Sequence, residues 1–231
     1  MKTVLCLSGW AQKSNVLEKL FNKDEFEIIN FDYSRFSNID DFFNEIKKAK
    51  INPEIIIGWS LGGQLACRLI ENKILNPKYL ILIAAPFQFV KSAKIAAAMP
   101  QKSFDEFYSN FVFKPDKTLK KFSLLMNIND KNAKDLANNL DINDENHDKL
   151  AFWLKELERF SCYDLNFANF PKTLILHGLG DLVVHSSQSK IFNEKIANSK
   201  LELIKDCGHM PHFIYENELK DKISCFLINQ D

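Results

Sequence analysis

Six short apolar runs recur along the chain, and segments with helical spacing separate most of them. The runs cover residues 4–7, 26–31, 55–57, 79–84, 172–177 and 200–204. Each run is apolar nearly throughout, which is typical of strands that are buried on both faces. Strands of this kind that alternate with helices indicate an α/β fold. The pattern predicts a mostly parallel sheet of about six strands, with helices on both faces.

The predicted helices lie between the strands and at the carboxyl end. The clearest is Ile39–Ala49, because Asp40 and Asp41 lie in its first turn and Lys47 and Lys48 in its last turn. Acidic residues at the start and basic residues at the end of a helix complement its dipole. The other predicted helices cover residues 15–21, 64–72, 185–196 and 215–227.

The alternation stops after residue 86 and resumes at residue 171. Between these positions the chain is charged, poor in β-branched residues and without an evident strand. Helices are predicted there at residues 103–111, 116–126, 133–140 and 144–160. A segment of roughly 80 residues is too long for a connecting loop. We therefore predict that residues 87–170 form an inserted helical cap, and that residues 1–86 and 171–231 form the α/β core.

A glycine-flanked serine follows the third predicted strand. That strand runs into Gly58-Trp59-Ser60-Leu61-Gly62, and a helical segment follows. The G-x-S-x-G pattern at a strand-to-helix turn is the nucleophile elbow, which raises the serine Oγ above the sheet. The alternative is an ordinary helix N-cap at Ser60. The apolar strand before the serine and the amphipathic helix after it favour the elbow.

Two further residues complete a candidate triad. Asp181 follows the fifth predicted strand and His209 follows the sixth, so the chain order is Ser, Asp, His. The carboxyl ends of parallel strands meet at one edge of a sheet, where these side chains can converge. A serine hydroxyl needs a histidine to take its proton, and the histidine needs a carboxylate to hold its tautomer. Asp206 and Asp164 are the alternative carboxylates.

Other histidines compete with His209 for the role of base. His212 is close to it in the sequence. We expect His177, at the end of a strand, to be packed in the core. We expect His185 to start a helix and His147 to be exposed in the cap.

Ester cleavage also needs two backbone N–H groups to stabilise the oxyanion. We assign one to Leu61, directly after Ser60, and the other to Trp10, in the loop after the first strand. The indole of Trp10 either walls an acyl pocket or packs in the core.

Composition and charge limit the possible partners. The 231 residues include 30 Lys and Arg and 30 Asp and Glu, so the formal net charge is zero. Without a basic field, we do not expect nucleic acid as a partner. No apolar run approaches the ~18 residues that span a bilayer, so we expect no membrane partner. The amino-terminal apolar run is too short for a signal peptide and predicts a first buried strand.

The cysteines and the remaining motifs argue for simple chemistry in a reducing compartment. The five cysteines are scattered, odd in number and without C-x-x-C spacing, which argues against a disulfide framework and for the cytoplasm. No metal-ligand, dinucleotide or phosphate-loop motif occurs, so we expect no metal and no cofactor. We expect a monomer.

Four segments together resemble a known superfamily. They are Ser8-Gly9-Trp10, Gly58-Trp59-Ser60-Leu61-Gly62-Gly63, Gly178-x-x-Asp181 and Gly208-His209-Met210-Pro211-His212-Phe213. They resemble the α/β-hydrolase superfamily, and within it the pimeloyl-[acyl-carrier protein] methyl ester carboxylesterases of biotin synthesis. The resemblance implies a serine carboxylesterase that forms a covalent acyl-enzyme on Ser60 and acts on the methyl ester of pimeloyl-carrier protein. Many relatives have His-Gly where this chain has Ser8-Gly9.

The resemblance extends to the predicted cap. In that family a cap helix carries Arg-x-x-x-Arg-Phe, which contacts the carrier protein and the acyl chain. Residues 116–122 are Asp-Lys-Thr-Leu-Lys-Lys-Phe, so Lys117 and Lys121 occupy the basic positions and Phe122 the aromatic one. Residues four apart share a helix face. The alternative is a solvated basic face, and lysine lacks the planar fork of arginine.

Other activities are compatible with the same triad. A thioesterase and a carbon–carbon bond hydrolase use the same three residue types. A protein of a different class, a non-catalytic binding module, could keep the fold alone. An intact Ser-Asp-His set argues against the last.

Overall fold

The structure is a computed structural model that describes residues 1–128 and 146–228, built around a parallel six-stranded sheet. The strands are β1 (Lys2–Leu7), β2 (Phe26–Asn30), β3 (Ile55–Trp59), β4 (Tyr79–Ile83), β5 (Lys172–Gly178) and β6 (Ser199–Ile204). Their order across the sheet is β2-β1-β3-β4-β5-β6, and every neighbouring pair is parallel. The predicted α/β fold and the predicted number of strands are confirmed.

The inner strands are the most deeply buried part of the sheet. Every residue of β3 and of β4 is buried, whereas the edge strands β2 and β6 keep half-buried and exposed positions. Branched apolar side chains fit a pleated surface that is covered on both faces. Runs such as Ile55-Ile56-Ile57 are therefore found in the middle of the sheet.

Eight α-helices are found in the described residues. They are α1 (Ile39–Ala49), α2 (Leu61–Glu71), α3 (Gln101–Phe113), α4 (Pro115–Met126), α5 (His147–Arg159), α6 (Ser187–Lys195), α7 (Pro211–Ile214) and α8 (Glu216–Ile228). Local chemistry sets the ends of α1. The side chain of Asn38 accepts a hydrogen bond from the N–H of Asp41, and Lys50 ends the helix in the left-handed conformation.

Two predicted helices differ from the structure. Residues 15–21 contain only a short 3₁₀ helix, Glu18–Leu20. A 3₁₀ turn also places residues three apart on one side, and Leu17 and Leu20 are both buried, which explains the misleading spacing. The predicted helix at residues 215–227 is α8, which begins at Glu216 after the separate short helix α7.

The predicted cap region is helical where the structure describes it. Between β4 and β5, the described residues form α3, α4 and α5, with no strand longer than an isolated bridge. The predicted helix at residues 133–140 and the start of the one at 144–160 lie outside the described residues. The boundaries at residues 87 and 170 stay a prediction.

Indole hydrogen bonds connect these helices to the sheet region. Trp10, after β1, donates its indole N–H to the carbonyl of Leu150 on α5 at 2.8 Å. Trp153 on α5 donates to the carbonyl of Phe36 at 3.0 Å. Buried indoles that donate across a boundary fix both the distance and the orientation of the two sides.

Candidate active site

Ser60 lies at the turn between β3 and α2 in a strained backbone conformation. Its φ is 53° and its ψ is −121°, a region that residues other than glycine rarely adopt. Its backbone N–H donates to the carbonyl of Ile83 at 2.9 Å. Its side chain makes no capping hydrogen bond with α2, so the turn differs from an ordinary helix N-cap.

The glycines around Ser60 are explained by close backbone approach. A Cβ on Gly62 would lie 2.0 Å from the carbonyl oxygen of Leu7 on β1, and a Cβ on Gly58 would lie 2.5 Å from the carbonyl oxygen of Gly62. Only hydrogen fits at these positions. The G-x-S-x-G spacing therefore follows from the contact of α2 with β1 and β3.

Asp181 is buried in the loop after β5, and its carboxylate is fully hydrogen-bonded. Oδ2 is 2.7 Å from Nδ1 of His209, and Oδ1 accepts from the N–H groups of Val183 and Val184 at 2.8 and 2.9 Å. Burial alone would raise the pKa of this carboxyl. The charge of His209 and the hydrogen bonds from His177 and His209 nevertheless hold the pKa well below its usual range. Asp181 is therefore ionised at neutral pH.

His209 lies in the loop after β6, and its backbone is bonded to two distant segments. Its N–H donates to the carbonyl of Met126 at the end of α4 at 3.1 Å, and its carbonyl accepts from the indole N–H of Trp59 at 2.9 Å. Trp59 precedes Ser60, so the histidine loop is held against the serine turn. In the described residues, Nε2 of His209 is buried without a hydrogen-bond partner, so no hydrogen bond joins it to Ser60.

The alternative carboxylates lie elsewhere. Asp206 is exposed, and its backbone carbonyl accepts a hydrogen bond from the hydroxyl of Tyr215. Asp164 is exposed and forms an ion pair with Lys94 at 3.3 Å. Neither carboxylate is found against His209.

The competing histidines differ in their surroundings. His212 is fully buried, with its ring centroid 4.3 Å from that of Trp59. Burial, together with the charges of Lys19 and His209, holds the pKa of His212 well below its usual range. His185 is exposed just before α6, and its Nδ1 is 2.8 Å from a serine hydroxyl.

Trp10 contacts aromatic side chains of helices α3 and α4. Its indole packs edge-on against the rings of Phe107, Phe111 and Phe122, with centroids 5.7, 5.1 and 5.4 Å away. We call these four residues the cap aromatic cluster. The structure thus brings Trp10 and Phe122 together. In the described residues, hydrogen bonds outside regular helices and strands do not use the N–H of Trp10 or of Leu61.

The two predicted carrier-protein contacts, Lys117 and Lys121, are both exposed on α4. Within residues 1–128 and 146–228, no group of three or more His, Cys, Asp or Glu side chains could hold a metal ion. Over the same residues, no helix combines the length and the apolar character that crossing a membrane requires.

A family model described as the alpha/beta hydrolase fold matches residues 2–214. The chain belongs to the α/β-hydrolase family. The predicted superfamily is thereby confirmed, as is the expectation of a hydrolase.

Named relatives of this α/β hydrolase include an esterase. The chain is 25% identical over 239 residues to the pimeloyl-[acyl-carrier protein] methyl ester esterase of Nitrosomonas europaea, a match that covers 96% of this chain and 93% of the relative. It is 28% identical over 228 residues to the biotin biosynthesis bifunctional protein BioHC of Teredinibacter turnerae, covering 90% of this chain. The chain spans only 40% of the length of that bifunctional relative. The resemblance to the pimeloyl ester esterases is confirmed.

Solved structures support the fold of this α/β hydrolase. An esterase from Exiguobacterium antarcticum has a TM-score of 0.83 at 20% identity, covering 98% of this chain and 91% of the other. A hydrolase from Oleispira antarctica has a TM-score of 0.82 at 17% identity, covering 100% and 92%. At such identities the likeness concerns the fold alone.

His177 is a residue of this α/β hydrolase to which the sequence prediction gave no role at the site. It is fully buried, as expected, but its Nε2 lies 3.0 Å from Oδ2 of Asp181. The usable signal was a histidine at a strand end, four residues before the candidate carboxylate. A buried imidazole needs hydrogen-bond partners, and such a carboxylate is the nearest candidate.

Proposed function

We propose that this α/β hydrolase is a serine carboxylesterase. The observation that carries the proposal is the hydrogen bond between His209 Nδ1 and Asp181 Oδ2, in a loop that Trp59 bonds to the strained turn at Ser60. An ionised carboxylate only accepts hydrogen bonds, so Nδ1 carries the proton. In the neutral ring Nε2 then keeps a free lone pair, which is what a base for the serine hydroxyl requires.

The proposed reaction proceeds through a covalent acyl-enzyme. Ser60 Oγ attacks the ester carbonyl carbon while His209 Nε2 takes the hydroxyl proton. The bond to the alcohol oxygen breaks, and His209 gives the proton to the leaving alcohol. Water then attacks the acyl carbon with His209 again as base, and the acid leaves as Ser60 regains its proton. The N–H groups of Leu61 and Trp10 stabilise both oxyanions.

We further propose the methyl ester of pimeloyl-[acyl-carrier protein] as the substrate, in biotin synthesis, with methanol as the leaving alcohol. The support is the match to the Nitrosomonas europaea esterase over nearly the whole of both chains. In the cap aromatic cluster the half-buried rings of Phe107 and Phe122 leave apolar surface for an acyl chain, whereas Trp10 and Phe111 are buried. Exposed Lys117 and Lys121 offer positive charge to an acidic surface of the carrier protein. A cytoplasmic monomer is part of this proposal.

The Ser60→Ala variant tests the mechanism on a short p-nitrophenyl ester. Loss of the nucleophile should lower kcat on the order of 10⁶-fold. The folded state of the variant is checked by its thermal unfolding midpoint. Residual activity within tenfold of the unsubstituted enzyme rejects Ser60 as nucleophile.

Genetic complementation tests the substrate. The gene should restore growth without biotin to an auxotroph that lacks the pimeloyl methyl ester esterase, and the Ser60→Ala gene should not. If soluble protein is made but growth fails, while p-nitrophenyl ester cleavage depends on Ser60, the esterase mechanism stands and this substrate is wrong.

A further inference from the structure

The Asp181 carboxylate has two imidazole partners, and only one of them belongs to the proposed triad. His209 Nδ1 and His177 Nε2 approach the same oxygen, Oδ2, at 2.7 and 3.0 Å. The other oxygen accepts from the N–H groups of Val183 and Val184. A carboxylate offers about four lone-pair sites, so four donors fix its position completely.

The surroundings of His177 determine which ring nitrogen carries the proton. Its Nε2 lies between two acceptors, Asp181 Oδ2 and the carbonyl of Val184 at 2.9 Å, so Nε2 must donate. Its Nδ1 contacts the hydroxyl of Ser189 on α6. In the neutral ring Nδ1 accepts, and Ser189 is the donor. The two acceptors at Nε2 set the tautomer that presents an N–H to Asp181, and Ser189 holds the other side of the ring by donating to Nδ1.

We propose that His177, oriented by Ser189, is a positioning residue that holds the Asp181 carboxylate with Oδ2 facing His209. The proposal rests on the esterase function proposed above. His177 acts through Asp181 and is assigned no contact with the substrate. An apolar side chain at this position would leave Oδ2 with a single imidazole donor and remove the donor to Val184. The carboxylate could then rotate and carry the ring of His209 with it.

Three variants and one control test the proposal on a p-nitrophenyl ester. His177→Leu should lower kcat about 10- to 100-fold with KM within about twofold, because a misplacement near 1 Å costs up to about 10²-fold. His177→Gln keeps an N–H donor at the reach of Nε2 and should stay within about fivefold of the unsubstituted enzyme. Ser189→Ala should fall between them. The control, Thr173→Val, removes a buried polar group at the other end of β5 and should leave kcat unchanged.

Proton NMR supplies a readout that does not need turnover. The unsubstituted enzyme should show two far-downfield imidazole N–H signals, one from each histidine bonded to Asp181. His177→Leu should remove one signal and shift or broaden the other. A folded His177→Leu enzyme with kcat within twofold and an unmoved His209 signal overturns the proposal. If that variant does not fold, the other two variants decide. An unchanged NMR spectrum together with an unchanged kcat in Ser189→Ala overturns the proposal. A loss of kcat in His177→Gln as large as that in Ser60→Ala also overturns it. If the unsubstituted enzyme has no Ser60-dependent activity, the esterase function fails, while the NMR signals still report on the positioning.

Discussion

The indole N–H of Trp59 donates a hydrogen bond to the backbone carbonyl of His209 at 2.9 Å, and the two rings lie 5.7 Å apart. Trp59 is the residue before Ser60. One buried side chain therefore joins the strained serine turn to the loop that carries the proposed base. The distance between Ser60 and His209 depends on this bond as well as on the sheet.

Trp59→Phe should lower kcat about tenfold, because the histidine loop loses its bond to the serine turn. The buried carbonyl of His209 would also lose its donor, which costs about 1–3 kcal/mol in the free energy of unfolding. Urea unfolding and steady-state kinetics on a p-nitrophenyl ester measure the two effects.

Trp153→Phe is the matched control. In the described residues, this buried indole donates to the carbonyl of Phe36 rather than to the loop of His209. We expect a similar loss of stability and an unchanged kcat. Equal values of kcat in both variants would show that the Trp59 bond serves stability alone.

Gly178 at the end of β5 should not tolerate a side chain. A Cβ there would lie 2.1 Å from the carbonyl oxygen of Gly208 and 2.4 Å from that of Cys207, in the loop that precedes His209. Gly178→Ala must push this backbone away, so we expect loss of stability and of activity together. A Cβ on Gly9 would lie 3.0 Å from the ring of Trp59, a side chain rather than backbone. Gly9→Ala should therefore lower the free energy of unfolding less than Gly178→Ala does. The reverse ranking in urea unfolding contradicts the argument.

The sequence predicted the features that depend on local pattern. Apolar runs such as Ile55-Ile56-Ile57 identify buried strands, and the glycines around Ser60 report a close approach of backbones. The order of Ser60, Asp181 and His209 after parallel strands places them at one edge of the sheet. These inferences need only neighbouring residues and the topology of an α/β fold.

The contacts that the sequence did not predict are long-range. The N–H of His209 bonds the carbonyl of Met126, and this depends on where α4 ends above the sheet. The spacing of apolar residues in the sequence does not indicate where the end of α4 lies relative to the sheet. Likewise, the role of His177 depends on the conformation of the loop up to Val184, which folds its acceptors around the ring. The sequence shows a polar residue at a strand end, but it does not show which groups that residue contacts.

His212 should make stability depend on pH. Burial first, and then the charges of Lys19 and His209, hold its pKa well below the unfolded value of about 6.5. As pH falls below that value, the unfolded chain binds a proton that the folded chain does not. The contribution is therefore present above pH about 6.5 and is lost at lower pH, with a limiting slope of about 1.4 kcal/mol per pH unit.

His212→Phe removes this titration and keeps a ring against Trp59. Because both ring nitrogens of His212 lack a partner in the described residues, the variant should be at least as stable at pH 7. The free energy of unfolding in urea is measured from about pH 7.5 to about pH 5.5, the range in which an ordinary histidine titrates. It should change less with pH in the variant than in the unsubstituted protein. Exposed His185→Gln should keep the original slope. If His212→Phe keeps it too, another group is responsible.

Phe122 should influence which acyl chains are cleaved. It is half-buried in the cap aromatic cluster, 5.4 Å from Trp10 and 5.6 Å from Phe107. Phe122→Ala should lower kcat/KM about tenfold for a hexanoyl or longer p-nitrophenyl ester and little for the acetyl ester, because only a longer chain buries area against the ring. Phe113 on the neighbouring helix α3 is 82% exposed, so Phe113→Ala should leave kcat/KM unchanged for both the longer ester and the acetyl ester. An equal loss on all esters would assign Phe122 to core packing.

Lys117 and Lys121 should affect only substrates presented on the carrier protein. Both are exposed and lie four residues apart on α4, so one acidic surface can meet them together. Reversing both charges to Glu should raise KM for the carrier-bound ester by about tenfold or more, since like charges across an interface repel. Activity on a p-nitrophenyl ester should not change. Added salt should raise KM for the carrier-bound ester more in the unsubstituted enzyme than in the variant. Lys47→Glu with Lys48→Glu on α1 is the control of equal charge. If that pair raises KM as much, the effect comes from net charge, and the assignment of α4 as the carrier contact is wrong.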